Sequence, residues 1–260
     1  MSARDFLVRG LLAGLVAGMV AFGVAFLVGE PSVNASIAVE ESGGSGHDHA
    51  HADEPAASES TTTDVPRSLQ STAGLLTATM VAGGTLGGLV GVISALALGR
   101  LGRFGVRGVS LAVAAIGFVN AGLVPFVAYP PNPPAVGHSD TIGMRSELYF
   151  IIVAISVIAA VTAVLVGRKL ARRWGGWYAT LSAIAGYLLV IIAAIVLLPT
   201  YSEVPADFPA TVLYEFRMAS LATQLSLWAT IGLVLGELLH RLQRRNDAQI
   251  TEPDYANQSA

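Results

Sequence analysis

The chain has 260 residues, 53% hydrophobic and only 13% charged, and its mean hydropathy of +0.62 excludes an ordinary water-soluble domain. A formal net charge of −3 argues against a nucleic-acid partner. With no cysteine, disulfides, thiolate metal sites and cysteine nucleophiles are excluded together, so any metal must be held by nitrogen and oxygen.

Uncharged, mostly apolar runs occupy residues 10–29, 68–99, 108–137, 148–167, 174–202 and 218–236. Each supplies the roughly 20 residues that a helix needs to cross a bilayer. Backbone amides at that depth find no water, so the runs must be helical, and the period-2 alternation of a membrane barrel is absent. The expected fold is an all-α membrane protein, a bundle of six transmembrane helices. The expected division is a first transmembrane helix over 1–29, an outward acidic loop over 30–67, a five-helix region over 68–245 with outward loops at 128–147 and 200–217, and a disordered cytoplasmic tail over 246–260.

Arg4 and Arg9 precede an apolar core too long for the h-region of about 7 to 15 residues in a secretion signal, so the first run is read as a retained helix. Basic residues then set orientation. Arg4, Arg9, Arg100, Arg103, Arg107, Arg168, Lys169, Arg172, Arg173, Arg241, Arg244 and Arg245 fall on one side; Arg67, Arg145 and Arg217 fall on the other. Positive charge is held in the cytoplasm, which places both termini there in a multi-pass bacterial inner-membrane protein. Thirteen of the eighteen acidic residues lie in the three outward segments, giving a face that concentrates cations locally.

In the first helix Gly10, Gly14 and Gly18 recur every four residues, and in the second Gly83, Gly87 and Gly91 do the same. Small residues at this spacing let helix backbones approach closely, which predicts a packing seam. Glu30 stands at the outer end of the first helix, and Pro31 is placed to begin a short helix. The middle of the following loop is acidic, rich in Ser, Thr and Gly, and reads as a flexible tether. It contains "SGHDHAHADE", where His47, His49 and His51 alternate with Asp48 and other residues. Neutral imidazoles bind Co2+, Ni2+, Zn2+ or Cu2+, so this stretch is the candidate metal-capture site, against the plainer reading of a solvated linker.

Between the third and fourth helices runs "YPPNPPAVGHSDTIGMRSELYF". Four prolines in five positions enforce extended backbone and withhold N–H donors, while Asn132 and His138 offer oxygen and nitrogen ligands. Before the last helix runs "YSEVPADFPATVLYEFRMASLATQ", with Glu215 and Arg217 two residues apart and so facing different sides. Cross-bundle pairing of Arg145 with Glu215 and of Arg217 with Glu147 is expected. Inside the spans Asn120 and Gln224 stand out as amide oxygens along a route, although such residues often only bond across helices. At the far end of the last helix Glu237 and His240 form a single E-x-x-H pair, a spacing that di-iron bundles use twice together with two further carboxylates.

There is no phosphate-binding GxxxxGK[ST], no HExxH, no GxSxG and no carboxylate pair within a span, so the chain reads as a non-enzyme. The stretches "LLAGLVAGMVAF", "GEPSVNASIAVEE", "RSLQSTAGLLTA", "PPNPPAVGHSDTIGMR" and "EVPADFPATVLYEFRMASLATQLSLWATIGLVLG" together resemble the CbtA family of predicted cobalt transporter subunits. The resemblance implies uptake of Co2+ for cobalamin synthesis, no permanently bound cofactor, and a small single-span partner of the CbtB type that bears histidines. The expected route is capture outside by His47, His49, His51 and Asp48, then passage past Glu30, Asn120, Asn132, His138, Glu215, Arg217 and Gln224. Ni2+ and Zn2+ are the competing substrates. A membrane enzyme or a structural scaffold, with an outward loop that binds zinc or nothing, is the alternative.

Overall fold

The computed structural model describes residues 2–44, 66–100, 104–134, 136, 141–201 and 203–258. Among these no β-strand occurs. Five helical elements are long and apolar enough to cross a membrane: α1 Ala3–Ser42, α2 Arg67–Ala97, α3 Val106–Ala128, α4 Ile142–Leu197 and α5, in which the apolar part is Ala210–Ala248. Six apolar runs become five elements because helix continues through Arg168 to Trp174, where the sequence reading expects a loop. Long basic side chains are good helix formers. The break comes instead at Gly175, with φ 77° and ψ 163°, a backbone conformation essentially confined to glycine. Gly167 then faces Ala183 and the Ser156 and Tyr187 hydroxyls lie 2.9 Å apart, so the two halves of α4 run antiparallel.

α1 begins with a reciprocal cap. The Ser2 hydroxyl accepts from the Asp5 N–H at 3.3 Å and the Asp5 carboxylate accepts from the Ser2 N–H at 2.7 Å, satisfying two donors that a helix start leaves orphaned. The helix runs on past Pro31 to Gly44. At the other end of the chain α5 continues to Gln258, over residues that the sequence reading leaves as a disordered tail. No glycine or proline interrupts residues 237–252, so nothing in that stretch stops the helix.

The glycines form the seam that their spacing predicts. A Cβ added at Gly10, Gly14, Gly83 or Gly87 would run into a backbone carbonyl oxygen of the facing helix, and one at Gly18 would lie 2.6 Å from the Thr79 oxygen. Only glycine permits this approach of α1 to α2. α5 packs against α1 and α3, closing a core of Phe6, Ala13, Ala17, Val109, Trp228, Ile231, Leu235 and Leu239. α4 lies outside this group and touches it through a smaller cluster of Val124, Ile152, Ile191 and Ala194. Leu27, Leu189, Val196 and Leu197 are among many large apolar side chains left exposed. That surface is suited to lipid rather than water.

The bundle has two chemically distinct ends. At one, Gly91 meets Phe6, Gly236 meets Arg107, and the Glu237 carboxylate is held by Arg107 and by Arg241 at 2.7 Å. Each oxygen of Glu237 is thereby paired with an arginine, the role that the E-x-x-H pair's carboxylate plays here. At the opposite end the proline loop, the first turn of α4 and the segment from Leu198 to Pro209 come together; this is called the proline end below.

Candidate functional site

Three helices carry a five-residue π-helical turn: Ala25–Gly29 in α1, Gln70–Gly74 in α2 and Val119–Leu123 in α3. In each the hydrogen bond is stretched by one residue, from Glu30 N–H to the Ala25 oxygen, Leu75 N–H to the Gln70 oxygen and Val124 N–H to the Val119 oxygen. The sequence supplies the cause. Pro31 and Pro125 have no N–H to return to the carbonyl four residues back. In α2 the Thr72 and Ser71 hydroxyls bond the Ser68 carbonyl at 2.6 and 3.3 Å, competing with the backbone ladder. The carbonyl that Pro125 cannot serve, Ala121, accepts instead from the Tyr149 hydroxyl at 3.0 Å.

Single π turns of this kind are frequent at functional sites, and here those of α1 and α3 line one space, with Leu75 just beyond the π turn of α2. A cavity of about 480 Å³ lies at the proline end, walled by Ala25, Gly29 and Glu30 of α1, Leu75 of α2, Ala121 and Gly122 of α3, Tyr149 of α4, and Ser220, Thr223 and Gln224 of α5. Tyr129 and Pro131 reach over it from the proline loop. Among the described residues Glu30 is the single charged one in this wall, and its side chain is 14% exposed. The other polar groups are neutral oxygens and an amide. The Gln224 oxygen accepts from the Trp228 indole N–H at 3.3 Å, which orients the amide.

Over the cavity the loops are tied by five contacts. Arg145 pairs with Glu203 at 3.0 Å. Arg217 donates to the Asn132 side-chain oxygen at 3.1 Å and to the Pro131 carbonyl at 3.3 Å. The Tyr129 hydroxyl donates to the Pro199 carbonyl at 3.0 Å, and its ring stacks on Tyr201 with centroids 5.4 Å apart. Burial pushes both the Tyr129 and Tyr201 hydroxyls above the usual phenol value, so each stays a neutral donor. These contacts correct the expected cross-bundle pairs: Arg145 takes Glu203 rather than Glu215, and Arg217 takes loop oxygens rather than Glu147. The prolines explain the second correction, because they add carbonyls to the loop without matching N–H donors.

Of the residues singled out in the sequence, Glu30 and Gln224 meet at the cavity, Asn132 and Arg217 meet above it, and Glu215 is exposed on α5. Asn120 sits on the π turn of α3, 4% exposed. Its oxygen accepts from Ser156 at 2.5 Å and from Tyr187 at 3.2 Å, and its amide donates to the Ile116 carbonyl at 2.7 Å. It therefore ties α3 to both halves of α4. His47, Asp48, His49, His51 and His138 lie outside the described residues. Among the described residues no three His, Asp or Glu side chains converge as a metal-ligand group.

Sequence reasoning missed Tyr149, Arg67 and Glu203. Arg67 crosses from α2 to the Glu30 carboxylate and also reaches the Asn34 side-chain oxygen at 3.4 Å. Glu203 has a side chain only 8% exposed, and neither of its oxygens has a hydrogen bond of acceptable geometry despite the ion pair. The one signal for it was a lone carboxylate in "YSEVP" between two apolar runs.

A model of the CbtA family, described as "Probable cobalt transporter subunit (CbtA)", matches residues 3–240. Neither the curated proteins nor the solved structures contain a match.

Proposed function

The chain belongs to the CbtA family of cobalt transporter subunits, and we propose that it carries Co2+ across the bilayer through the cavity at the proline end. The observation that carries this reading is one largely buried carboxylate, Glu30, in a wall of otherwise neutral oxygens to which the π turns of α1 and α3 both contribute. A divalent cation entering such a space exchanges part of its hydration shell for Glu30, the Gln224 amide and the hydroxyls along α5. Oxygen and imidazole ligands suit first-row divalent ions without strong selection among them, so Ni2+ and Zn2+ compete.

In this reading the proline end faces outward and both termini are cytoplasmic, in a bacterial inner membrane. The clustering of Arg107, Arg241 and Arg4 at helix ends opposite the cavity supports that orientation. The glycine break at Gly175 supports counting α4 as two crossings, six in all. His47, His49, His51 and Asp48 concentrate the ion outside, with His138 and Glu215 adding ligands at the mouth. Asn132 and Arg217 position the loop over the mouth, and Asn120 holds the wall of α3 against α4. The ion serves cobalamin synthesis, no cofactor is permanently bound, and a small single-span CbtB-type subunit with histidines is the partner within the lipid bilayer.

The test is metal uptake by cells that express this chain with and without the small subunit, comparing Co2+, Ni2+ and Zn2+ at limiting concentration. Accumulation of Co2+ that requires this chain is expected. Equal accumulation without it would reject the proposal, and would turn attention to a membrane enzyme or a scaffold.

A further inference from the structure

Arg67 approaches Glu30 from outside the cavity: the carboxylate is part of the cavity wall and the arginine is not. With the guanidinium in place, the one negative charge that the described residues turn to the cavity is neutralised. A cation arriving through the cavity then meets a site of no net charge. A carboxylate shared between Arg67 and a divalent ion would also bring two positive groups together, which is unfavourable at such short range.

The hold of Arg67 is incomplete. One nitrogen, Nη2, makes both of its bonds, to Glu30 and to Asn34, so the two-pronged geometry that makes arginine–carboxylate pairs strong is not used. Its Nε is buried with no acceptor, a state that a buried donor avoids when it can. The side chain as a whole is 38% exposed and has an outlet to solvent. Arg67 also stands in the first turn of α2, with no side-chain cap at Pro66 and the π turn Gln70–Gly74 immediately behind it.

We propose that Arg67 is a tethered counter-ion that occupies Glu30 in the metal-free protein and is displaced by the entering divalent cation, so that this arginine sets the affinity of the site. The inference rests on the assignment of the cavity as the ion route. Loss of the ion restores the pair, which favours release and keeps the site from becoming a trap.

The test is Co2+ binding to the purified full-length protein in detergent, by calorimetric titration, for the parent with His47, His49 and His51 changed to Ala, which removes binding by the outward loop, and for Arg67→Gln, Arg67→Lys and Glu30→Gln made in that parent. Arg67→Gln is expected to bind Co2+ about tenfold more tightly or better, the low end of coupling between close charges. Arg67→Lys should stay near the parent, and Glu30→Gln should lose binding. Arg67→Gln binding no more tightly, with Glu30→Gln still defective, would overturn the counter-ion and leave the cavity assignment standing. Glu30→Gln binding as well as the parent would overturn both. A second measurement needs no variant: Co2+ should increase modification of Arg67 by phenylglyoxal in the wild-type protein, read by mass spectrometry. Unchanged modification under saturating Co2+ would contradict displacement.

Discussion

Arg145 Nη1 lies 3.0 Å from Glu203 Oε2, joining the first turn of α4 to the segment that leads into α5. The Glu203 side chain is almost wholly buried, and among the described residues no hydrogen bond supports either oxygen. The carboxylate therefore depends on one partner. Arg145→Gln is expected to lower stability by about 3 kcal/mol, because it strands a buried charge. The double change to Arg145→Gln with Glu203→Gln should recover much of the loss. Thermal unfolding of the purified protein in detergent measures both.

The glycine seam gives a sharper contrast. Gly14→Ala places a methyl group against the Gly83 carbonyl, whereas a Cβ at Gly23 meets nothing within 4 Å. Gly14→Ala should destabilise by about 1–3 kcal/mol, the usual range for overpacking, and reduce the yield of monodisperse protein. Gly23→Ala should leave the melting temperature unchanged.

Asn120, Ser156 and Tyr187 form a closed set of hydrogen bonds between α3 and the two halves of α4. Tyr187→Phe removes one hydroxyl and leaves the Ser156–Asn120 bond, so a loss of about 0.6 kcal/mol is expected, the average for a bond between membrane helices. Asn120→Leu removes the acceptor for both hydroxyls and should cost about 1–2 kcal/mol. Melting temperatures of the two variants in one detergent order the effects.

The membrane helices were legible in the sequence because apolar length is a direct demand of the bilayer, and the seam was legible because Gly10, Gly14, Gly83 and Gly87 repeat at the helical period. The reversal in α4 was not placed correctly: charge marked residues 168–173, but only Gly175 could adopt the backbone that turns the chain. Glu30 and Gln224 were found as polar exceptions within or beside apolar runs. Arg67 and Glu203 were not, since their importance lies in partners 37 and 58 residues away, and no local pattern encodes that. The π turns left faint traces, Pro31 and Pro125 inside helices, whose consequence becomes visible only when the turns of α1 and α3 line one cavity.

Replacing His47, His49 and His51 together by Ala separates capture from conduction. Uptake should fall at low external Co2+ and recover at high concentration, because a concentrating loop matters only when the ion is scarce. Initial uptake rates across a range of Co2+ give the answer directly: a raised half-saturation concentration with an unchanged maximal rate.

The most direct measurement is the initial rate of Co2+ uptake by cells expressing wild-type chain or Glu30→Gln, with the small subunit present and equal amounts of protein in the membrane. Among the described residues Glu30 is the one charge facing the cavity, so at least about a tenfold drop is expected, equivalent to roughly 1.4 kcal/mol at the site. Uptake by Glu30→Gln equal to wild type would contradict passage of the ion through this cavity.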